Sequence, residues 1–402
     1  MVRIWRAGTV TAIVALVAAG LSGCSAQVGT PVPGEIDVRT LEVGDFPVDK
    51  FSYPADASGD GPILEGIRMS EAVVTTDRID PSLKFGRGSK VLPDPATAID
   101  FLANVSEPVL KHRKMVVGYA ASGADQGDPE GETRPEADAT AITVVALRFP
   151  DTSAATGAAR ELEDADIGVS RDNRRLKSAK YPDALVHWRP GVANVGAFLA
   201  EDEFVISLFV QRPKADSADL VSWVDKTLTA QLAQLGRFRP TPTADIADLQ
   251  VDPENLLSRV VVADRKGQAP DPDTFAVYGP NYLINSADDQ PARARLLDES
   301  GFESTAYADG NSVARVRDPA GAPILMDGFI ESAGEAYDDR PAPTDIPGAK
   351  CLELNTTGDP QHQYRFRCFV PYKRYVGVVS SDDEAEIQQK TAAQYALLAN
   401  SL

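Results

Sequence analysis

Ala141-Ile142-Thr143-Val144-Val145-Ala146-Leu147-Arg148-Phe149-Pro150-Asp151-Thr152-Ser153 is an apolar, β-branched run that ends in a turn and a helix start. The run is short and continuous, as expected for a strand buried on both faces rather than alternating between core and water. Pro150-Asp151 turns the chain, and residues 153–163 read as a helix. Downstream, Tyr181-Pro182-Asp183-Ala184 leads into strand candidates at 185–188, 196–200 and 203–210. Leu220, Val224, Leu228, Leu232 and Leu235 then recur at helical spacing, stopped by Gly236. The same order returns later. Residues 282–284 are a strand candidate, and Ser286-Ala287-Asp288-Asp289 opens a helix that ends before Gly301. Strand candidates follow at 312–316 and 323–329, Ile346-Pro347-Gly348-Ala349 parallels the Pro182 turn, and 375–379 is a further strand. Ser381-Asp382-Asp383-Glu384 opens the last helix. Two related units, each an antiparallel sheet packed by helices, define an α+β fold.

Outward from these units, the boundaries fall as follows: a signal at 1–23, a tether at 24–35, an N-terminal domain at 36–238, a linker at 239–250 and a C-terminal domain at 251–402. Within the first domain, residues 71–75 read as a strand, 96–104 as a helix, and 122–138 as an exposed loop. Arg3 and Arg6 precede an apolar stretch over 7–20 that is shorter than the ~20 residues of a spanning helix. Leu21-Ser22-Gly23-Cys24 then gives a small-residue cleavage pattern ending in cysteine, an export signal whose removal leaves lipidated Cys24 at the start of the mature chain. Such an anchor is firm because each buried methylene adds ~0.8 kcal/mol.

The chain has 402 residues and a net charge of −19, about −21 once Arg3 and Arg6 are gone. That charge argues against nucleic acid, whose phosphates are neutralised by Lys and Arg, and against electrostatic attachment to anionic lipid. Cys351 and Cys368 remain as an even pair in strand-like runs flanking the turn-rich Asn355-Thr356-Thr357-Gly358-Asp359-Pro360. Outside the cytoplasm, a hairpin disulfide is the expected state. No catalytic residue, cofactor or metal site is assigned. His112, His187 and His362 are scattered, Gly86-Arg87-Gly88-Ser89-Lys90 lacks phosphate-loop spacing and reads as a turn, and the acidic residues of 125–132 read as a solvated loop rather than a calcium site. Lys111-His112-Arg113-Lys114 reads as the polar end of a helix. Trp188 and Trp223 read as core, with a ligand pocket between sheet and helices as their functional alternative.

Five features carry a resemblance: the Cys24 motif; Arg68-Met69-Ser70-Glu71-Ala72-Val73-Val74 with Ile79-Asp80-Pro81-Ser82-Leu83; Gln231-Leu232-Ala233-Gln234-Leu235-Gly236-Arg237-Phe238-Arg239-Pro240-Thr241-Pro242; Asp252-Pro253-Glu254-Asn255-Leu256-Leu257; and the pair Cys351 and Cys368. Together they resemble a family of two-domain lipoproteins from nocardial and mycobacterial actinobacteria. The unit plan is also similar, at the level of fold alone, to the extracellular sensor domains of mycobacterial receptor kinases. The resemblance implies a lipid-anchored location on the outer face of the plasma membrane and carries over no catalytic residue. The expected function is binding of a small envelope lipid or glycan, or of another exported protein, without catalysis. The alternatives are a scaffold of an envelope complex and an exported hydrolase with dispersed catalytic residues.

Overall fold

The computed structural model describes residues 36–129 and 134–401. The signal, Cys24 and the tether lie outside the described residues. In chain order the first half holds α1 (Gly61–Arg68), α2 (Thr76–Ile79), β1 (Phe85–Leu92), α3 (Pro95–Ala98), α4 (Glu107–His112), β2 (Val117–Ala124), β3 (Ala141–Arg148), α5 (Thr152–Ile167), β4 (Arg174–Leu176), β5 (Leu185–Trp188), β6 (Asn194–Glu201), β7 (Phe204–Gln211) and α6 (Ser217–Leu235). The second half holds β8 (Phe275–Tyr278), α7 (Pro280–Asn285), α8 (Gln290–Glu299), β9 (Phe302–Ala308), β10 (Asn311–Val316), α9 (Gly321–Glu331), β11 (Tyr337–Arg340), β12 (Lys350–Leu354), β13 (Phe366–Tyr372), β14 (Tyr375–Ser381) and α10 (Glu384–Asn400).

These strands form two seven-stranded antiparallel sheets, ordered β1-β2-β3-β7-β6-β5-β4 and β8-β9-β10-β14-β13-β12-β11. The second order is the first shifted by seven strands, so the chain is a topological duplication. Each sheet is covered on both faces. In the first, α5 lays Ala155, Ala158, Ala159 and Leu162 on Val145, Leu147 and Val205, while Leu220, Val224 and Leu228 of α6 pack on Val144, Ala146 and Ile206. Burial on both sides explains why β3 reads as an unbroken apolar run. In the second sheet, α9 covers one face and α10 the other. Four of the longer helices start on an aspartate N-cap: Asp151, Asp216, Asp289 and Asp383 each accept backbone N–H bonds.

The duplication reaches individual side chains. In α6, Gln231 accepts from the Val74 N–H at 2.9 Å and donates to the Ala72 carbonyl at 2.9 Å. In α10, Gln394 accepts from the Val261 N–H at 3.0 Å and donates to the Arg259 carbonyl at 2.8 Å. Both glutamines are fully buried, and each clamps the segment that enters its own sheet. Superposing the clamps aligns Val73-Val74-Thr75-Thr76-Asp77-Arg78 with Val260-Val261-Val262-Ala263-Asp264-Arg265.

Several expectations are corrected. Residues 71–75 form no strand, because Gln231 and the amide of Asn281, not a neighbouring strand, satisfy their backbone. Residues 282–284 lie in α7, where Pro280 fits the first helical turn, and 323–329 lie in α9. The helix expected over 96–104 shrinks to the single turn of α3. Gly86-Arg87-Gly88-Ser89-Lys90 is not a turn but part of edge strand β1, with a register shift between Gly86 and Ser89 and Gly88 at φ +87°. The expected loop starts late, since β2 continues through Ser122, Gly123 and Ala124. A Cβ on Gly123 would lie 1.8 Å from Thr76 Oγ1, so only glycine admits that approach. Residues 130–133 of the loop lie outside the described residues.

The halves are knitted together within one compact unit. The Gly86 N–H donates to the Ala287 carbonyl at 2.8 Å, and the Gln290 N–H to the Lys84 carbonyl at 2.8 Å. The connecting segment is pinned too. Glu65, fully buried, accepts from Arg148 at 2.5 Å, from Arg68 at 2.5 Å and from the Thr241 N–H at 3.1 Å.

Candidate functional site

Where α1, the C-terminal end of α6, β8 and residues 248–256 meet, they leave a cleft of about 840 Å³, within the range of small-molecule sites. Its apolar wall comes from Leu64 and Ile67 of α1, Phe238 after α6, and Val277 of β8. Polar groups stand on that wall in a defined order. Gln234 Nε2 donates to the Glu71 carbonyl at 2.7 Å, holding Glu71 at the turn after α1. The Glu71 carboxylate in turn accepts from the Asn281 N–H at 2.9 Å. Burial raises the pKa of this carboxyl, against the opposing effects of the Asn281 bond and Arg78. Gly279 makes the approach possible, since a Cβ there would lie 2.5 Å from Glu71 Oε1.

Cations line the other side. Arg68 lies over the Phe238 ring at 5.5 Å, and Arg237 and Arg239 are exposed beside it. Arg315 is held by Glu303 at 2.8 Å and by Glu254. The hydroxyls of Ser70 and Ser304, also in the lining, are buried with no hydrogen-bond partner among the described residues. The cleft therefore offers an apolar body site, an edge of mixed charge on which Arg237 and Arg239 have no ion pair among the described residues, a carboxyl whose pKa burial raises, and hydroxyls without hydrogen-bond partners. Three of the five features that carried the family resemblance converge here. Arg68 and Glu71 come from the first, Gln234 to Arg239 from the second, and Asp252, Glu254 and Leu256 from the third.

Other candidate residues lie elsewhere. Trp188 and Trp223 pack at the edge of the first core, Trp223 between Arg212 at 4.4 Å and Lys226 at 4.9 Å, and neither lines the cleft. His187 faces Glu163 at 2.6 Å and Asp166 at 3.4 Å, a buried structural group. Exposed His362 bonds Asp359 at 2.6 Å, and Lys111 and His112 fall in the last turn of α4. In the acidic loop, Asp128 pairs with Arg87 at 2.7 Å, and Asp125 accepts from the Thr140 N–H at 2.9 Å. No group of His, Cys, Asp and Glu placed to hold a metal occurs among the described residues. Cys351 and Cys368 face each other across β12 and β13 and form the expected disulfide. Among the described residues, no helix is long and apolar enough to cross a membrane.

Fold and cleft together define a duplicated α+β protein with a ligand-sized site between its halves. The chain belongs to the family described as domain of unknown function DUF7373, its N-terminal part matching residues 52–251 and its C-terminal part residues 256–401. No curated protein matches it significantly. Among solved structures it is similar to the extracellular domain of PknH from Mycobacterium tuberculosis, at 9% identity and a TM-score of 0.27, over 40% of this chain and 95% of that one.

Proposed function

We propose that this protein is a lipid-anchored, extracytoplasmic binding protein that holds a small amphiphilic ligand in the cleft between Phe238 and Val277, without covalent chemistry. The convergence of the three motif segments on one ligand-sized cleft carries this reading. The apolar wall takes the hydrocarbon or glycan body, and exposed Arg237 and Arg239 take an anionic end. Location rests on the Leu21-Ser22-Gly23-Cys24 motif and on the disulfide, which persists in oxidising compartments. The lipid on Cys24 is the membrane partner.

Binding is tested with a fluorescent palmitate analogue and two variants, Leu64→Trp and Val277→Trp, that fill the cleft with side-chain volume. Saturable binding by the unmodified protein, lost in both variants while their melting temperatures stay close to its own, supports the reading. Equal binding in all three proteins refutes it. For location, Cys24→Ala is expected to move the protein from the membrane fraction to the medium. Retention in the membrane contradicts the anchor.

A further inference from the structure

A second pocket, of about 320 Å³, opens between the second sheet and the helices α8 and α9. Strand register fixes its floor. Ser312 pairs with Tyr307 on one side and with Val378 on the other, and Arg367 pairs with Ser380 one row along, so these side chains share a face. Arg293 of α8 and Phe329 of α9 close the pocket from above.

Its two guanidiniums set it apart. Arg293 lies over the Phe329 ring at 5.7 Å and Arg367 over the Tyr337 ring at 5.3 Å, yet neither has an ion pair or hydrogen bond among the described residues. Arg367 Nε is buried with no hydrogen-bond partner among the described residues. Burial lowers the pKa of Arg293, with Tyr307 and Asp288 offsetting part of the effect. The chain carries 59 acidic against 40 basic residues, and arginines close by in sequence find partners readily. Arg365 and Arg340 both bond Glu353, at 2.9 Å and 3.1 Å. Holding two half-buried guanidiniums in one pocket with no ion pair among the described residues is costly. Two guanidiniums with five donors each match the charge and the several acceptors of a dianionic phosphate better than a single carboxylate. Exposed Asp273 also borders the pocket and leaves its charge at +1 before a ligand enters.

We infer that this pocket binds a phosphate monoester through Arg293 and Arg367, with the Ser312 and Ser380 hydroxyls and the Phe329 ring contacting the esterified body. The site is separate from the cleft and does not depend on its ligand. Two sources share the chemistry: a free phosphate ester and a phosphomonoester lipid headgroup.

The test uses the mature chain with Cys24→Ser, which carries no anchor lipid, melted in rising glycerol phosphate with chloride adjusted to constant ionic strength, and sedimented with vesicles containing phosphatidic acid, against vesicles without it as the blank. The unmodified protein is expected to gain melting temperature in a saturable way or to sediment with the vesicles. Arg367→Gln and Arg293→Gln are expected to weaken that binding by about tenfold or more, as loss of a charged hydrogen bond implies. Without ligand, both variants melt no lower than the unmodified protein, because each removes a half-buried charge that has no ion pair among the described residues. Arg295→Gln, on the exposed side of α8, keeps full binding. Stabilisation by glycerol phosphate alone assigns a free ester, and sedimentation alone assigns the headgroup. Absence of both responses, or their persistence in an Arg293→Gln/Arg367→Gln double variant, overturns the proposal.

Discussion

Raising the pH should remove a contribution that His187 makes to folding, and its size follows from the geometry. The ring lies against Gly196 in the neighbouring strand, where a Cβ would come within 2.8 Å of it. Both ring nitrogens face carboxylates, Nδ1 with Glu163 at 2.6 Å and Nε2 with Asp166 at 3.4 Å. Burial works against the charged form, but the bonds to Asp166 and Glu163 outweigh it and carry the pKa from 6.5 to about 9. A folded-state pKa above the unfolded value means that the contribution is complete below about pH 6.5 and is lost as the pH rises through about 9. At 1.36 kcal/mol per unit, the contribution is about 3 kcal/mol at most. Urea unfolding of the unmodified protein and of His187→Gln, from about pH 6 to about pH 10, gives the stability difference at each pH. Packing lost in the variant shifts that difference by a constant, so the pH-dependent part isolates the imidazolium. The difference is expected to shrink by roughly 2–3 kcal/mol across the range. A flat difference refutes the reasoning, as does an NMR titration of the His187 ring with a midpoint near 6.5.

Three further predictions concern the scaffold. Gln231→Leu and Gln394→Leu each strand two buried backbone groups, so both should cost about 2–4 kcal/mol in denaturant unfolding; unequal costs would count against functional equivalence of the clamps. Glu65→Gln leaves Arg148, itself 1% exposed, with Glu203 at 3.6 Å as its one ion-pair partner among the described residues, beside its bond to the Thr241 carbonyl, and should destabilise by about 3–5 kcal/mol in the same assay. Replacing Cys351 and Cys368 together by serine opens a loop of sequence separation 17 and should cost about 3 kcal/mol, read as a lower melting temperature that reductant no longer changes.

The elements legible in the sequence were those with strong local signals. β3 announced itself as a buried apolar run, α5 by the Pro150-Asp151 turn before it, α6 by helical spacing ending at Gly236, α10 by its Ser381-Asp382-Asp383-Glu384 start, and the cysteine hairpin by its turn-rich centre. β1 and β2 were not, because their small and glycine residues serve close approach: Gly86 to the Asn285 backbone and Gly123 to Thr76. Such positions read as breaks in a strand pattern. The run Ala72-Val73-Val74 looked like a strand because periodicity carries no information about a glutamine that is distant in sequence and supplies its hydrogen bonds. The duplication was visible in element order but aligned one helix too early. The sequence reading matched α5 with α8, whereas the strand order matches it with α9. For the site, large aromatics drew attention to Trp188 and Trp223, while the cleft uses Glu71, Arg68 and Phe238. Nothing local marks Glu71 as special. Its character comes from Gln234 and Asn281, which only the fold brings to it.

The most direct test of the central claim is native mass spectrometry of the mature protein purified from an actinobacterial host, with Leu64→Trp measured alongside. The account predicts a reproducible extra mass on the unmodified protein that denaturation releases and that the cleft-filling variant lacks. A bare polypeptide carrying its anchor lipid and the Cys351–Cys368 bond, identical in both proteins, would contradict a small-molecule role for the cleft.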